Sequence, residues 1–214
     1  MHTKTERIKE AIEEEKKVHN FLIRNKLFVI LVLVGIAGFI VGSLVFKSSS
    51  GNFYEKAIDL VKCNFGVRAS GSFFDLFSES IFSSFVFILV IFLMGLSAWG
   101  VTLVPPIVFL KTYCLSIYCK SVYYIGQIKG IFFLILVVLP GFLVSILATI
   151  LMSKEAIKIS NIFSNILLNV NTQQNDEKHV KLYLLKTGCV LILTVFSAFL
   201  DAVFNLIFYR FFSF

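Results

Sequence analysis

Residues 79–120 read ESIFSSFVFILVIFLMGLSAWGVTLVPPIVFLKTYCLSIYCK, and between Glu79 and Lys120 the one charged residue is Lys111. About twenty apolar residues already cross the hydrocarbon core of a bilayer, so a run of this length is two spans and a turn. Trp99 and Gly100 mark the turn, because Trp favours the headgroup level and glycine punctuates helices. Lys111 is left inside the second span, where an ionisable group is by default a functional-site candidate.

The rest of the chain has the same character. Of its 214 residues, 57% are hydrophobic and 15% charged, whereas a soluble domain usually carries about 25% charge. Mean hydropathy is +0.88, and the 25 phenylalanines suit lipid-facing helix surfaces. The net charge of +7 comes from basic residues scattered at span ends. Positive-inside topology and anionic headgroups account for them. No basic face with interleaved aromatics is present, so the expected partner is the lipid bilayer and not nucleic acid. The expected fold is all-α, a polytopic α-helical membrane protein with about five transmembrane helices plus amphipathic interfacial helices.

Spans are expected at about 27–46, 80–99, 104–123, 130–152 and 182–208, forming a single transmembrane domain over 27–214. Residues 1–26 are too polar and acidic for a signal peptide. Ile8, Ala11, Ile12, Val18 and Leu22 recur at helical spacing there, which predicts a cytoplasmic amphipathic helix feeding the first span. A solvated tail is the plainer alternative. Gly38 and Gly42 form a GxxxG in the first span, a close-contact face for another helix of this chain or for a second copy of it. The segment 47–79 reads as a loop with a short helix and an aromatic patch at Phe73, Phe74 and Phe77. Pro105 and Pro106 place the start of the third span near Val104, since proline is tolerated in the first helical turn. Pro140 kinks the fourth span, while Gly141, Ser145 and Thr149 put small residues on one of its faces. Residues 153–170 alternate apolar and polar positions as a helix lying flat on the membrane does.

Seven Lys and Arg precede the first span, five follow the fourth and four follow the first. The positive-inside rule then puts the N-terminus in the cytoplasm and the C-terminus outside it.

Motifs for chemistry are missing. His2, His19 and His179 stand outside any HExxH arrangement, and there is neither a GxSxG elbow nor a phosphate-binding glycine loop. Cys63, Cys114, Cys119 and Cys189 form no CxxC pair and read as small hydrophobes or, for Cys63, a free loop thiol. No catalytic residue, metal or cofactor is assigned, and the chain is read as non-enzymatic. What remains is Lys111, about 10 Å into its expected span at 1.5 Å per residue, and Asp201 in the last span. They either pair inside the bundle or reach separately for opposite surfaces; contact with a pore or partner is the third reading.

Residues 92–160, FLMGLSAWGVTLVPPIVFLKTYCLSIYCKSVYYIGQIKGIFFLILVVLPGFLVSILATILMSKEAIKIS, resemble the core of the stage II sporulation protein M family. That family has a small-residue turn after an apolar span, an apolar run ending in lysine, a glycine opening the next span and a proline within it. Gly95, Gly100, Pro105, Lys111, Gly130 and Pro140 match those positions. Thr112 and Ser116 stand where relatives often carry glycines. The resemblance implies five spans, a cytoplasmic N-terminus and a bacterial cytoplasmic membrane. It also implies a scaffold that recruits cell-wall hydrolases of the engulfment machinery during sporulation. A permease or transporter subunit is the alternative from another class.

Overall fold

The computed structural model describes residues 25–48, 52–167 and 176–208. The expected helix at 1–26 lies outside them, apart from its last two residues. The described residues form α1 (Lys26–Ser48), α2 (Asn52–Ser70), α3 (Phe73–Gly95), α4 (Gly100–Phe133), α5 (Leu139–Leu167) and α6 (Asp176–Phe208), with a π-helical turn, Leu134–Val138, between α4 and α5.

Four segments are long and apolar enough to cross a membrane: Lys26–Ser48, Phe73–Gly95, Gly100–Leu167 and Val180–Phe208. The third has 68 residues. As one straight helix it would be about 100 Å long, at 1.5 Å per residue, against a hydrocarbon core of about 30 Å. It is not straight. Gln127 has φ 45° and ψ −122°, and the chain reverses there, so that Lys111 on the outgoing arm meets Ser145 and Thr149 on the returning one. The protein is therefore an all-α, polytopic membrane protein, and its described residues pass through the bundle five times.

Large apolar side chains cover the outside as well as the interior. Leu33, Leu44 and Ile192 are 59%, 60% and 72% exposed, and they face outward where lipid tails would lie. Ser116, Ser121, Ser153, Ser160 and Thr194 are buried. In lipid there is no water to satisfy a hydroxyl, so these side chains turn inward, and several donate to the carbonyl one turn back, as Ser153 does to Thr149 and Thr194 to Val190.

Two apolar clusters close the ends. Leu31, Ile88, Ile91, Val104, Ala148 and Met152 belong to the first, near Asn25. Val61, Val122, Phe133, Val137 and Val138 form the second, near Gln127. Contacts along the chain fix which helix ends share a side. Lys154 donates to Asn25 (2.9 Å). Ser160 donates to the Ser97 carbonyl (2.7 Å) and accepts from the Val101 amide (3.1 Å), pinning the α3–α4 turn. The start of α1, that turn, the far part of α5 and the start of α6 thus lie at one end. Gln127, α2 and the last turns of α6 lie at the other.

The elements differ from the sequence reading in three places. The 47–79 segment is mostly helix: α2 buries Ile58 and Val61, and the aromatic patch falls in the first turns of α3. The break between them is capped by Asp75, whose carboxylate accepts from the Ser72 amide (2.9 Å) and hydroxyl (2.8 Å). The third span starts at Gly100 and not near Val104, so Pro105 and Pro106 sit inside α4. The carbonyls they cannot serve belong to Val101 and Thr102, which are exposed beside the 73%-exposed Trp99, at the level where headgroups and water reach them. Finally, 153–167 is not a separate flat helix. It continues α5, and Ser153, Ala156, Ile157 and Ser160 are buried against the bundle.

Two tests follow from this packing. A Cβ at Gly42 would lie 2.7 Å from the Tyr113 carbonyl oxygen and 2.9 Å from the Ser116 Cβ, whereas at Gly188 it would meet nothing within 4 Å. Gly42→Leu should cost about 2 kcal/mol or more by overpacking, while Gly188→Ala should be neutral or stabilising, as helix propensity favours Ala by about 1 kcal/mol; detergent unfolding titrations measure both. Gln127→Gly should leave stability unchanged or raise it, and Gln127→Val should lower it by roughly 1–3 kcal/mol, because a β-branched residue resists positive φ. A Val variant as stable as the Gly variant would contradict the reversal at this residue.

Candidate functional site

Four helices bring polar side chains into the middle of the bundle. On α3, Glu79, Ser80, Ser83, Ser84 and Phe87 occupy one face at helical spacing. Lys111 comes from α4 and Asp201 from α6. Together with Gly141 and Ser145 of α5, and with Val61 and Asn64 of α2 at the Gln127 end, they line a cavity of about 500 Å³. That size lies within the range of small-molecule sites.

Lys111 marks the deep end. Counting from Gly100 it sits about 16 Å into α4 (eleven residues at 1.5 Å), close to mid-bilayer and deeper than the 10 Å expected from a start at Val104. Its side chain is 7% exposed. The ammonium donates to the Thr149 hydroxyl (2.6 Å), the Ser145 hydroxyl (2.8 Å) and, more weakly, the Ser145 carbonyl (3.4 Å). The Phe87 ring centroid is 5.5 Å away. Thr149 in turn donates to the Ser145 carbonyl (2.8 Å), and the Ser145 and Ser84 hydroxyls are 3.1 Å apart.

The sequence left open an ion pair with Asp201 or snorkelling to the surface. Lys111 does neither. A helical side chain leans toward its own helix N-terminus, and here that direction leads to Ser145 and Thr149 on the antiparallel arm. A lysine at the centre of a span costs about 3 kcal/mol on insertion scales. Hydrogen bonds to a charged group contribute about 1.5–3 kcal/mol each, so two short ones and an aromatic face offset that cost without a carboxylate. The small face of α5, read from sequence as a packing surface, is the acceptor set.

Asp201 lies one layer nearer the Gln127 end. Its carboxylate accepts a short hydrogen bond from the Ser80 hydroxyl. The backbone and Cβ of Asp201 press against Gly141, where an added Cβ would come within 2.9 Å of the Asp201 Cβ. Ser197, one turn before Asp201, donates to the Gly141 carbonyl (2.7 Å). Nearer still to that end, Asn64 donates to Glu79 (2.7 Å).

The other sequence-selected residues do not join the cavity but set the helix crossings around it. Gly38 and Gly42 face Phe109, Thr112, Tyr113 and Ser116 of α4. The GxxxG face is therefore taken up inside the chain. Gly100 abuts Ser160, and Gly130 abuts the Val122 backbone across the Gln127 turn. Pro105 lies in α4, five residues after Gly100. Pro140 follows the π-helical turn 134–138 by one residue; a wider turn there removes the clash between the proline ring and the carbonyl four residues back. Cys114 and Cys189 are exposed and not buried, and Cys114 does reach the cavity wall.

Sequence reasoning missed Ser80, Ser84, Asn64 and Ser160 as structural partners. The signal for the first two was present: the hydroxyls of an otherwise apolar span sit at i, i+3 and i+4, one turn below Phe87. Known protein families, curated proteins and solved structures offer no match to this chain.

Lys111 and Thr149 should be energetically coupled. In a double-mutant cycle Lys111→Met with Thr149→Val should show an interaction above about 1 kcal/mol, whereas Lys111→Met with Asp201→Asn should be additive within about 0.5 kcal/mol. Unfolding titrations giving the reverse order would restore the ion pair.

Proposed function

We propose that this chain is a non-enzymatic scaffold of the bacterial cytoplasmic membrane, with the N-terminus in the cytoplasm and the C-terminus outside it. In role it resembles stage II sporulation protein M, recruiting peptidoglycan-remodelling partners during engulfment. The observation that carries this reading is α2. It packs Ile58 and Val61 inward and leaves Glu55, Asp59, Lys56 and Lys62 exposed at the Gln127 end. By the positive-inside rule that end faces the cell wall. A helix seated on the bundle and charged on its free side suits a polar, electrostatically selected contact. The resemblance supports the reading in a second way. Gly95, Gly100, Lys111 and Gly130, which carry it, all occupy close contacts between helices or across turns, as positions defining a shared helix arrangement should.

The cavity, with Lys111 and Asp201 in its wall, favours a second reading, a permease or transporter subunit, in which these residues line a path for solute.

Cysteines placed singly at 55, 56, 59 and 62 separate the two. Crosslinking in expressing cells, followed by mass spectrometry, should capture wall-remodelling proteins, and Lys56→Glu with Lys62→Glu should reduce capture several-fold at unchanged thermal stability. Failure to capture any other protein, together with solute flux in proteoliposomes that Lys111→Met abolishes, would replace the scaffold by the permease.

A further inference from the structure

Lys111 holds a positive charge inside the bundle with hydrogen bonds only to neutral oxygens, those of Ser145 and Thr149. Its donors are not all used. An ammonium has three N–H groups. Two make short bonds to hydroxyls, and the third meets the Ser145 carbonyl at 3.4 Å, an oxygen that already accepts from Thr149 at 2.8 Å. A second donor lies beside it. The Ser84 and Ser145 hydroxyls are 3.1 Å apart, so one of their two hydrogens lies between them and the other is left for the cavity. Asp201 and Glu79 do not neutralise this end. Both are engaged nearer Gln127, by Ser80, by Asn64 and by further contacts of their own. Along α3, Ser84 stands four residues, about 6 Å, from Ser80.

The mouth of the cavity tells where a ligand would come from. Leu60, Ser83 and Cys114 belong to its wall and are also exposed, which places the opening among α2, α3 and α4. Ser83 is twelve residues before the end of α3 at Gly95, about 18 Å, and Cys114 is fourteen residues after the start of α4 at Gly100, about 21 Å. Both depths fall within a hydrocarbon core of about 30 Å, so this part of the opening faces acyl chains. Phe87, Leu115 and Phe142 add apolar surface to the same wall. We propose that the cavity takes the head of a long-chain carboxylate, a fatty acid, from the membrane. Its two oxygens and single charge match one ammonium N–H, one serine hydroxyl and the charge of Lys111. Asp201 and Glu79 repel the head and so keep it at the Lys111 end, and the chain leaves between Ser83 and Cys114 into the lipid. The site goes beyond the scaffold reading and stands whether the chain recruits partners or passes solute.

The test uses the full chain in phosphatidylcholine nanodiscs with an oleic acid analogue that carries a photoreactive diazirine near its carboxylate. After irradiation, mass spectrometry should map adducts to Phe87, Leu115 and Phe142. Excess oleate should reduce these adducts at least tenfold. Oleyl alcohol lacks the charge, oleylamine reverses it and propionate lacks the chain; each should reduce them less than twofold. Lys111→Met should lower cavity adducts at least tenfold. Cys114→Trp, which narrows the mouth from an exposed position, should lower them severalfold at unchanged unfolding temperature. The proposal is overturned if adducts fall only on outward residues such as Leu33 and Ile192, or if Cys114→Trp is labelled like the wild type. It is overturned equally if oleyl alcohol or oleylamine competes as well as oleate, or if propionate does, which would assign a water-soluble anion. The competition is read on the wild-type chain and needs no variant to fold.

Discussion

An ammonium in the middle of a bilayer must find oxygens, and in this protein they come from a neighbouring helix. Lys111 reaches Ser145 and Thr149 across the α4–α5 hairpin, and this contact orders much of the interior. It sets the two arms in register around Gln127, sixteen residues before the turn on one side and eighteen after it on the other. It also explains why the face Gly141, Ser145, Thr149 is small and hydroxylated: bulk there would block the lysine, and a purely apolar face would leave it unsatisfied. The reversal at Gln127 keeps a strained backbone, which the packing of Gly130 on the Val122 backbone and of Phe133 and Val137 in the adjoining cluster holds in place.

Around this hairpin the remaining helices turn their polar and small side chains inward beside two buried apolar clusters, and cover the outside with large apolar ones. α1 packs against α4 through its glycines, α6 packs against α5 and α3, and the serine face of α3 looks into the space between them. Those three contributions leave a cavity, with both polar and apolar side chains in its wall, between two apolar clusters. The cluster near Asn25 closes it on one side, and α2 lies over the other. The same inward turn of polar groups that makes the chain tolerable to lipid therefore also makes a site.

Much of this was legible in the sequence, because the properties involved are local. Apolar run length marks the spans, Trp99-Gly100 marks a turn, and an isolated lysine among the 40 residues between Glu79 and Lys120 flags the interior. The glycine pair at 38 and 42 signalled a close crossing, though spacing alone does not say whether the other helix belongs to the same chain. What was not legible depended on partners distant in sequence. Pro105 and Pro106 are accommodated because the exposed end of α4 leaves the orphaned carbonyls at the surface, which no propensity encodes. Residues 153–167 have the periodicity of a surface helix, yet their apolar side meets α3, α4 and α6 instead of lipid. Lys111 chose hydroxyls over Asp201 because of the direction a helical side chain takes.

The central claim is that the chain reverses at Gln127 within the 68-residue helical stretch, so that Trp99 and Gln127 lie on opposite sides of the membrane. In a chain whose four cysteines are replaced by serine or alanine, single cysteines at 99 and 127 can be probed with a membrane-impermeant thiol reagent on intact cells and on inverted vesicles. The account predicts that each position is labelled from one side only, and that the two sides are opposite. Labelling of both positions from the same side would contradict it.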